Sequence, residues 1–105
     1  MGLAENLEAM LAGGEESARL RFALGSEYLK LGEAGKAVSH LCIAVTLDPD
    51  YSAAWKLLGR AQIQAGLGAD AIASYERGIV AASRGGDHQA EREMRIFLKR
   101  LVSGE

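Results

Sequence analysis

An apolar comb recurs along this chain at a displacement of 34 residues, and no other feature constrains the fold as much. Leu3, Leu7, Met10 and Leu11 fall at i, i+4, i+7 and i+8, one face of a helix. The comb returns at Ala37, Leu41, Ala44 and Val45, then at Ala71, Tyr75, Gly78 and Ile79. The intervening segments keep the same period, with Leu24-Gly25 recurring as Leu58-Gly59 and Gly32 as Gly66. A helical hairpin of this length cannot bury its apolar face alone, so the period predicts stacked repeats that cover one another. Breaks at Gly13-Gly14, Gly32 to Gly35, Asp48-Pro49-Asp50, Gly66-Leu67-Gly68 and Gly85-Gly86 predict six helices, and strand alternation is found nowhere.

Several residues then acquire structural roles. Glycine within a helix costs about 1 kcal/mol relative to alanine, so Gly25 and Gly59 are expected where paired helices approach too closely for a side chain. Pro49 cannot continue the helix ending near Thr46, and Asp50 is expected to cap the next one. Trp55, one turn further, is expected to wedge between hairpins, so that Trp55→Ala costs about 3 to 5 kcal/mol.

Composition excludes several alternatives. The 105 residues, 49% apolar and 25% charged, suit one soluble globular domain. Cys42 is the only cysteine and cannot form an internal disulfide, which points to a reducing compartment. The segment MGLAENLEAMLAGG carries Glu5 and Glu8 and no basic residue, the wrong charge for a targeting peptide. No apolar run approaches the roughly 20 residues needed to span a bilayer. A cytoplasmic location is expected. A net charge of −2 argues against nucleic acid or an acidic membrane as partner. The signs are unevenly placed, since residues 1–17 hold four glutamates and no cation, whereas 52–85 hold four cations and two acids.

Reactive chemistry is scarce. His40 and His88 have no nearby cysteine or paired histidine, so they are expected to be ordinary surface residues and no metal is assigned. Cys42, between Leu41 and Ile43, is expected to be a buried small hydrophobe. The glycine pairs lack the context of a dinucleotide fingerprint, there is no P-loop, and there is no G-x-S-x-G elbow. Neither a cofactor nor an enzymatic activity is expected.

These residues resemble the tetratricopeptide repeat family, whose 34-residue helix-turn-helix unit carries W-x2-L-G-x2-Y, then A-x3-F-x2-A, then P. Residues 18–51 supply Leu24, Gly25, Tyr28, Ala37, Leu41, Ala44 and Pro49, with Arg21 in place of tryptophan. Residues 52–85 supply Trp55, Leu58, Gly59, Ala71 and Tyr75, with Gln62 in place of tyrosine, Gly78 in place of the second alanine and Ser83 in place of proline. The resemblance implies an all-α, right-handed α-solenoid forming one domain over residues 1–105. An N-terminal helix occupies 1–17, two repeats follow at 18–51 and 52–85, and 86–105 form a C-terminal capping helix. In that last segment Asp87 is a candidate N-cap, and Arg92 and Glu93 replace the internal leucine and glycine.

The resemblance further implies a concave groove lined by the first helix of each repeat and suited to a peptide or a partner protein. Carried onto this chain, the groove positions are Arg19, Phe22, Ser26 and Leu29, then Ala53, Lys56, Arg60 and Ile63. Phe22 and Ser26 stand where the chaperone-binding members would place lysine and asparagine, which argues against recognition of a chaperone tail. The expected role is a small non-enzymatic adaptor gripping a segment of mixed acidic and apolar side chains. The alternative is a self-associating subunit or an assembly factor of a larger complex. If the last helix kept strict register, Ala90, Met94 and Phe97 would extend an apolar strip from Phe22 through Ile63 as a homodimer interface. A rotated last helix would instead bury that stripe against the repeat containing Trp55.

Overall fold

The computed structural model describes residues 2–104. Among them the chain forms six helices and no strand: α1 (Leu3–Ala12), α2 (Ala18–Lys30), α3 (Ala34–Leu47), α4 (Ser52–Gln64), α5 (Gly68–Gly85) and α6 (His88–Ser103). Each helix packs on the next, and α2, α4 and α6 also touch directly, so they line one side of the stack. The result is an all-α helical repeat fold.

The two central combs are fully used. Ala37, Leu41 and Ala44 of α3 and Ala71 of α5 are 0% exposed, and Tyr75 is 2% exposed. Gly25 and Gly59 serve the close approach expected of them. A Cβ added at Gly25 would strike the side chain of Leu41, and one added at Gly59 would strike the ring of Tyr75. Both hairpins turn in the same way. Gly32 and Gly66 take left-handed φ of 78° and 79°. The next amide donates five residues back, Glu33 to Tyr28 and Leu67 to Gln62, and the helix ends in a Schellman motif.

The joint between hairpins differs from expectation in one detail. Asp50 does not cap α4; Tyr51 holds the N-cap position, and no side chain caps the helix. The Asp50 carboxylate instead accepts from Arg84 at 3.0 Å, while its own amide donates to Asp48 Oδ1. The turn is secured by Trp55, whose indole Nε1 donates to the carbonyl of Pro49 at 2.8 Å. Trp55 is buried at 7% exposure, as expected.

The ends are asymmetric. The first comb is only half buried, for Leu7 and Leu11 pack against the core while Leu3 is 53% and Met10 43% exposed. Among the described residues, α2 is the helix that packs on α1. Polar contacts tie it down as well, with Tyr28 Oη donating to Glu8 at 2.5 Å. Glu8 and burial together push the Tyr28 hydroxyl up to about 12. His40 is not the surface residue expected. It is half-buried, stacks on Tyr28 with ring centroids 5.5 Å apart, accepts from Arg21 Nη1 at Nδ1, and lies 3.8 Å from Glu8 through Nε2. Desolvation holds its pKa below the ordinary value. Arg21, standing where the repeat motif has tryptophan, also pairs with Glu16 at 2.7 Å. At the other end α6 is deeply seated. The Asp87 carboxylate caps it by accepting from the Ala90 amide, and accepts from Ser52 Oγ at 2.9 Å. Both bonds lower the Asp87 pKa.

Candidate functional site

The concave side of α2, α4 and α6 holds an open cavity of about 680 Å³. Among the expected groove positions, Phe22, Ala53, Lys56, Arg60 and Ile63 line it. Arg19, Ser26 and Leu29 do not. Arg19 is exposed on the first turn of α2, and Leu29 packs against the core instead. Phe22 is braced by Tyr51, the ring centroids 5.0 Å apart.

The remaining wall comes from α6, which does not keep strict register. Ala90 is 4% and Met94 0% exposed, so both are core residues, and Phe97 alone of the three reaches the cavity. The cause lies at Gly78, where the repeat motif has alanine. A Cβ there would sit 2.5 Å from Met94 Sδ and 2.7 Å from Trp55 Cβ. Its absence lets the Met94 side chain enter between α4 and α5. The helix rolls with it and presents Glu93, Phe97, Arg100 and Leu101 to the groove. Phe97 also packs on the buried Tyr75 ring, centroids 5.7 Å apart. Glu93 and Arg100 escape sequence reasoning because the roll depends on a non-local fit. The one available signal is the glycine substituted for alanine.

Electrostatics inside the groove also differ from expectation. Lys56 is not a free cation: its Nζ donates to Glu93 Oε1 at 2.9 Å across the cavity. Arg60 and Arg100 form no ion pair among the described residues, so the uncompensated positive charge belongs to them. Burial pushes the Tyr75 hydroxyl up, partly opposed by Arg60. The cavity is thus an apolar trough with two available guanidinium groups, a setting suited to carboxylates beside apolar side chains.

Two other reactive groups lie outside the groove. His88 is a surface residue with 72% side-chain exposure, near Glu91. Cys42 is not the buried hydrophobe expected; it is exposed on the opposite, outer side of the stack. Partial burial and the nearby Asp70 carboxylate push its thiol up, so the thiolate is disfavoured. Among the described residues, no cluster of three or more potential metal ligands occurs, and no helix is long and apolar enough to cross a membrane.

No protein-family model matches the sequence. A TPR repeat-containing protein of Pseudomonas aeruginosa is 50% identical over 97 residues, covering 92% of each chain. The solution structure of a Bordetella parapertussis protein superposes with a TM-score of 0.83 at 40% identity, over 99% of this chain and 90% of that one. The crystal structure of a tetratricopeptide repeat domain protein from Salinibacter ruber gives 0.78 at 29% identity, over 86% and 100%. With the 34-residue period, the paired glycines and a relative sharing half its residues, the chain belongs to the tetratricopeptide repeat family.

Proposed function

We propose that this protein is a non-enzymatic adaptor that holds a peptide segment of a partner protein, apolar side chains interleaved with carboxylates, in the groove between α2, α4 and α6. Residues 18–51 and 52–85 form the two repeats of this reading, and 1–17 and 86–105 close the stack. The observation that carries it is one cavity joining Phe22, Ile63 and Phe97 with Arg60 and Arg100, two cations without an ion-pair partner among the described residues. Apolar side chains supply contact area, whereas uncompensated cations supply selection and a faster encounter. The single cysteine suits work in a reducing cytoplasm.

The test is a titration of the isotope-labelled protein with short peptides alternating leucine or phenylalanine with aspartate or glutamate. Shifts should cluster at Phe22, Ile63 and Phe97, and neutral peptides of equal hydropathy should bind more weakly. Arg60→Glu with Arg100→Glu should weaken capture by at least about tenfold, or ~1.4 kcal/mol, with the helical signal unchanged. Equal affinity in the reversed variant sinks the groove assignment.

A second reading is self-association through the same trough. Ile63, an apolar side chain of the trough wall left 42% exposed, favours it. Sedimentation over a concentration series separates the two, since a strict monomer at high concentration discards the dimer.

A further inference from the structure

The outer side of the stack carries a second cavity, of about 600 Å³, between α3, α4 and α5. Three of its residues, Cys42, Gln62 and Ser74, stand 34 positions after Glu8, Tyr28 and His40. The first junction is therefore an internal template for the second. There the Tyr28 phenol stacks on His40 and its hydroxyl reaches Glu8. In the second junction the tyrosine has become Gln62, the histidine Ser74 and the glutamate Cys42, and a cavity is open at that place.

The polar groups there are built rather than incidental. Gln62 is 6% and Ser74 5% exposed, and Ser74 Oγ donates to Gln62 Oε1 at 2.7 Å. The Gln62 amide nitrogen has no hydrogen-bond partner among the described residues, and Gln62 lines the cavity. The amide nitrogen of this largely buried residue opens onto the cavity, where a guest's acceptor can meet it. Trp55 and Arg77 form another wall, the guanidinium 5.9 Å from the indole ring centroid. Pro49, Trp55 and Arg77 also line an adjoining cavity bounded by Val80 and Arg84. The two are continuous along the outer side, which suits a chain-like occupant better than an isolated small molecule.

The geometry points to this cavity as a docking site for a tyrosine side chain on a partner segment. The guest ring takes the place that the His40 ring fills one repeat earlier, left open here by Ser74, and its hydroxyl accepts from the Gln62 amide beside Cys42. This site lies across the stack from the concave groove and does not depend on that groove's assignment.

The only cysteine and the only tryptophan of the chain both line the cavity, so the unmodified protein reports its own occupancy. The probe is N-acetyl-tyrosinamide, with N-acetyl-phenylalaninamide as its partner lacking the hydroxyl. The tyrosine compound should slow iodoacetamide alkylation of Cys42 severalfold at saturation and change Trp55 emission over the same concentration range. The phenylalanine compound should do so only at higher concentration. Gln62→Tyr restores an internal phenol and should abolish both responses; Ser74→His narrows the same cavity and serves if the first variant does not fold. Absence of protection in the unmodified protein overturns the proposal. So does equal protection in a folded filled-cavity variant, or equal potency of the two compounds.

Discussion

The two ends of the stack are closed by opposite means. Helix α6 is held by burial: Met94 is fully enclosed against Gly78, Phe97 rests on Tyr75, and Asp87 caps the first turn. Helix α1 has no buried residue and is held through Glu8, Tyr28, His40 and Arg21. The buried contacts of the packed end respond to volume and scarcely to solution conditions, because dispersion and apolar burial carry no charge. A polar end responds to protons and salt. The groove is built on the packed end, where Glu93, Phe97 and Arg100 keep fixed positions.

The contrast can be broken most forcefully at Met94. Met94→Ala should cost about 2 to 5 kcal/mol in a urea titration, as expected for a fully enclosed side chain, and should displace Phe97 from the groove. A smaller loss is expected from Gly78→Ala. Its Cβ meets Met94 Sδ, which can move, and Trp55 Cβ, which cannot. Overpacking should outweigh the gain in helix propensity and leave a net cost of about 1 to 3 kcal/mol. A gain in stability would mean that α6 does not need this glycine to seat.

At the polar end, Tyr28→Phe removes one hydrogen bond to a carboxylate that water can reach, and should cost about 0.5 to 1.5 kcal/mol. Hydrogen exchange should quicken in α1 and stay unchanged in α4 to α6. The smallest effect sharpens the contrast by pH. His40 has a folded pKa below its ordinary value of about 6.5, so in that interval the unfolded chain binds more protons. Its contribution is therefore complete above about pH 6.5 and is lost as pH falls through the depressed folded value. Desolvation by burial is the main cause, opposed by the facing Glu8 and Glu16 carboxylates and reinforced by Arg21. His40→Gln should flatten this part of the stability profile, whereas Met94→Ala should shift the whole profile without changing its slope.

What was legible in the sequence was whatever the period carries. Leu24, Leu41 and Tyr75 sit in the core, and Gly25, Gly59 and Trp55 perform the packing their spacing implied, because each acts within a hairpin or on its neighbour. Non-local choices were not legible. Lys56 reaches Glu93 only after α6 has rolled, and the roll follows from Gly78 together with Met94. Asp50 was expected to cap its own helix, but Arg84 on α5 offers a charged partner. Cys42 was assigned to the core from its apolar neighbours in sequence, yet on a helix adjacent residues point about 100° apart. Arg19 and Leu29 satisfy the register of the groove, but α2 is the end member of its wall and only Phe22 reaches across.

The Lys56–Glu93 pair gives the groove a resident competitor. An incoming carboxylate that approaches Lys56 exchanges one anionic partner for another and gains only the difference between them. The resident is tethered, so it returns at a high effective concentration whenever the guest leaves. Salt weakens guest and resident alike at Lys56, while at Arg60 and Arg100 it weakens only the guest. For the proposed acidic guest, the ionic-strength dependence of capture therefore measures how much of the binding falls on the two arginines and how little on Lys56.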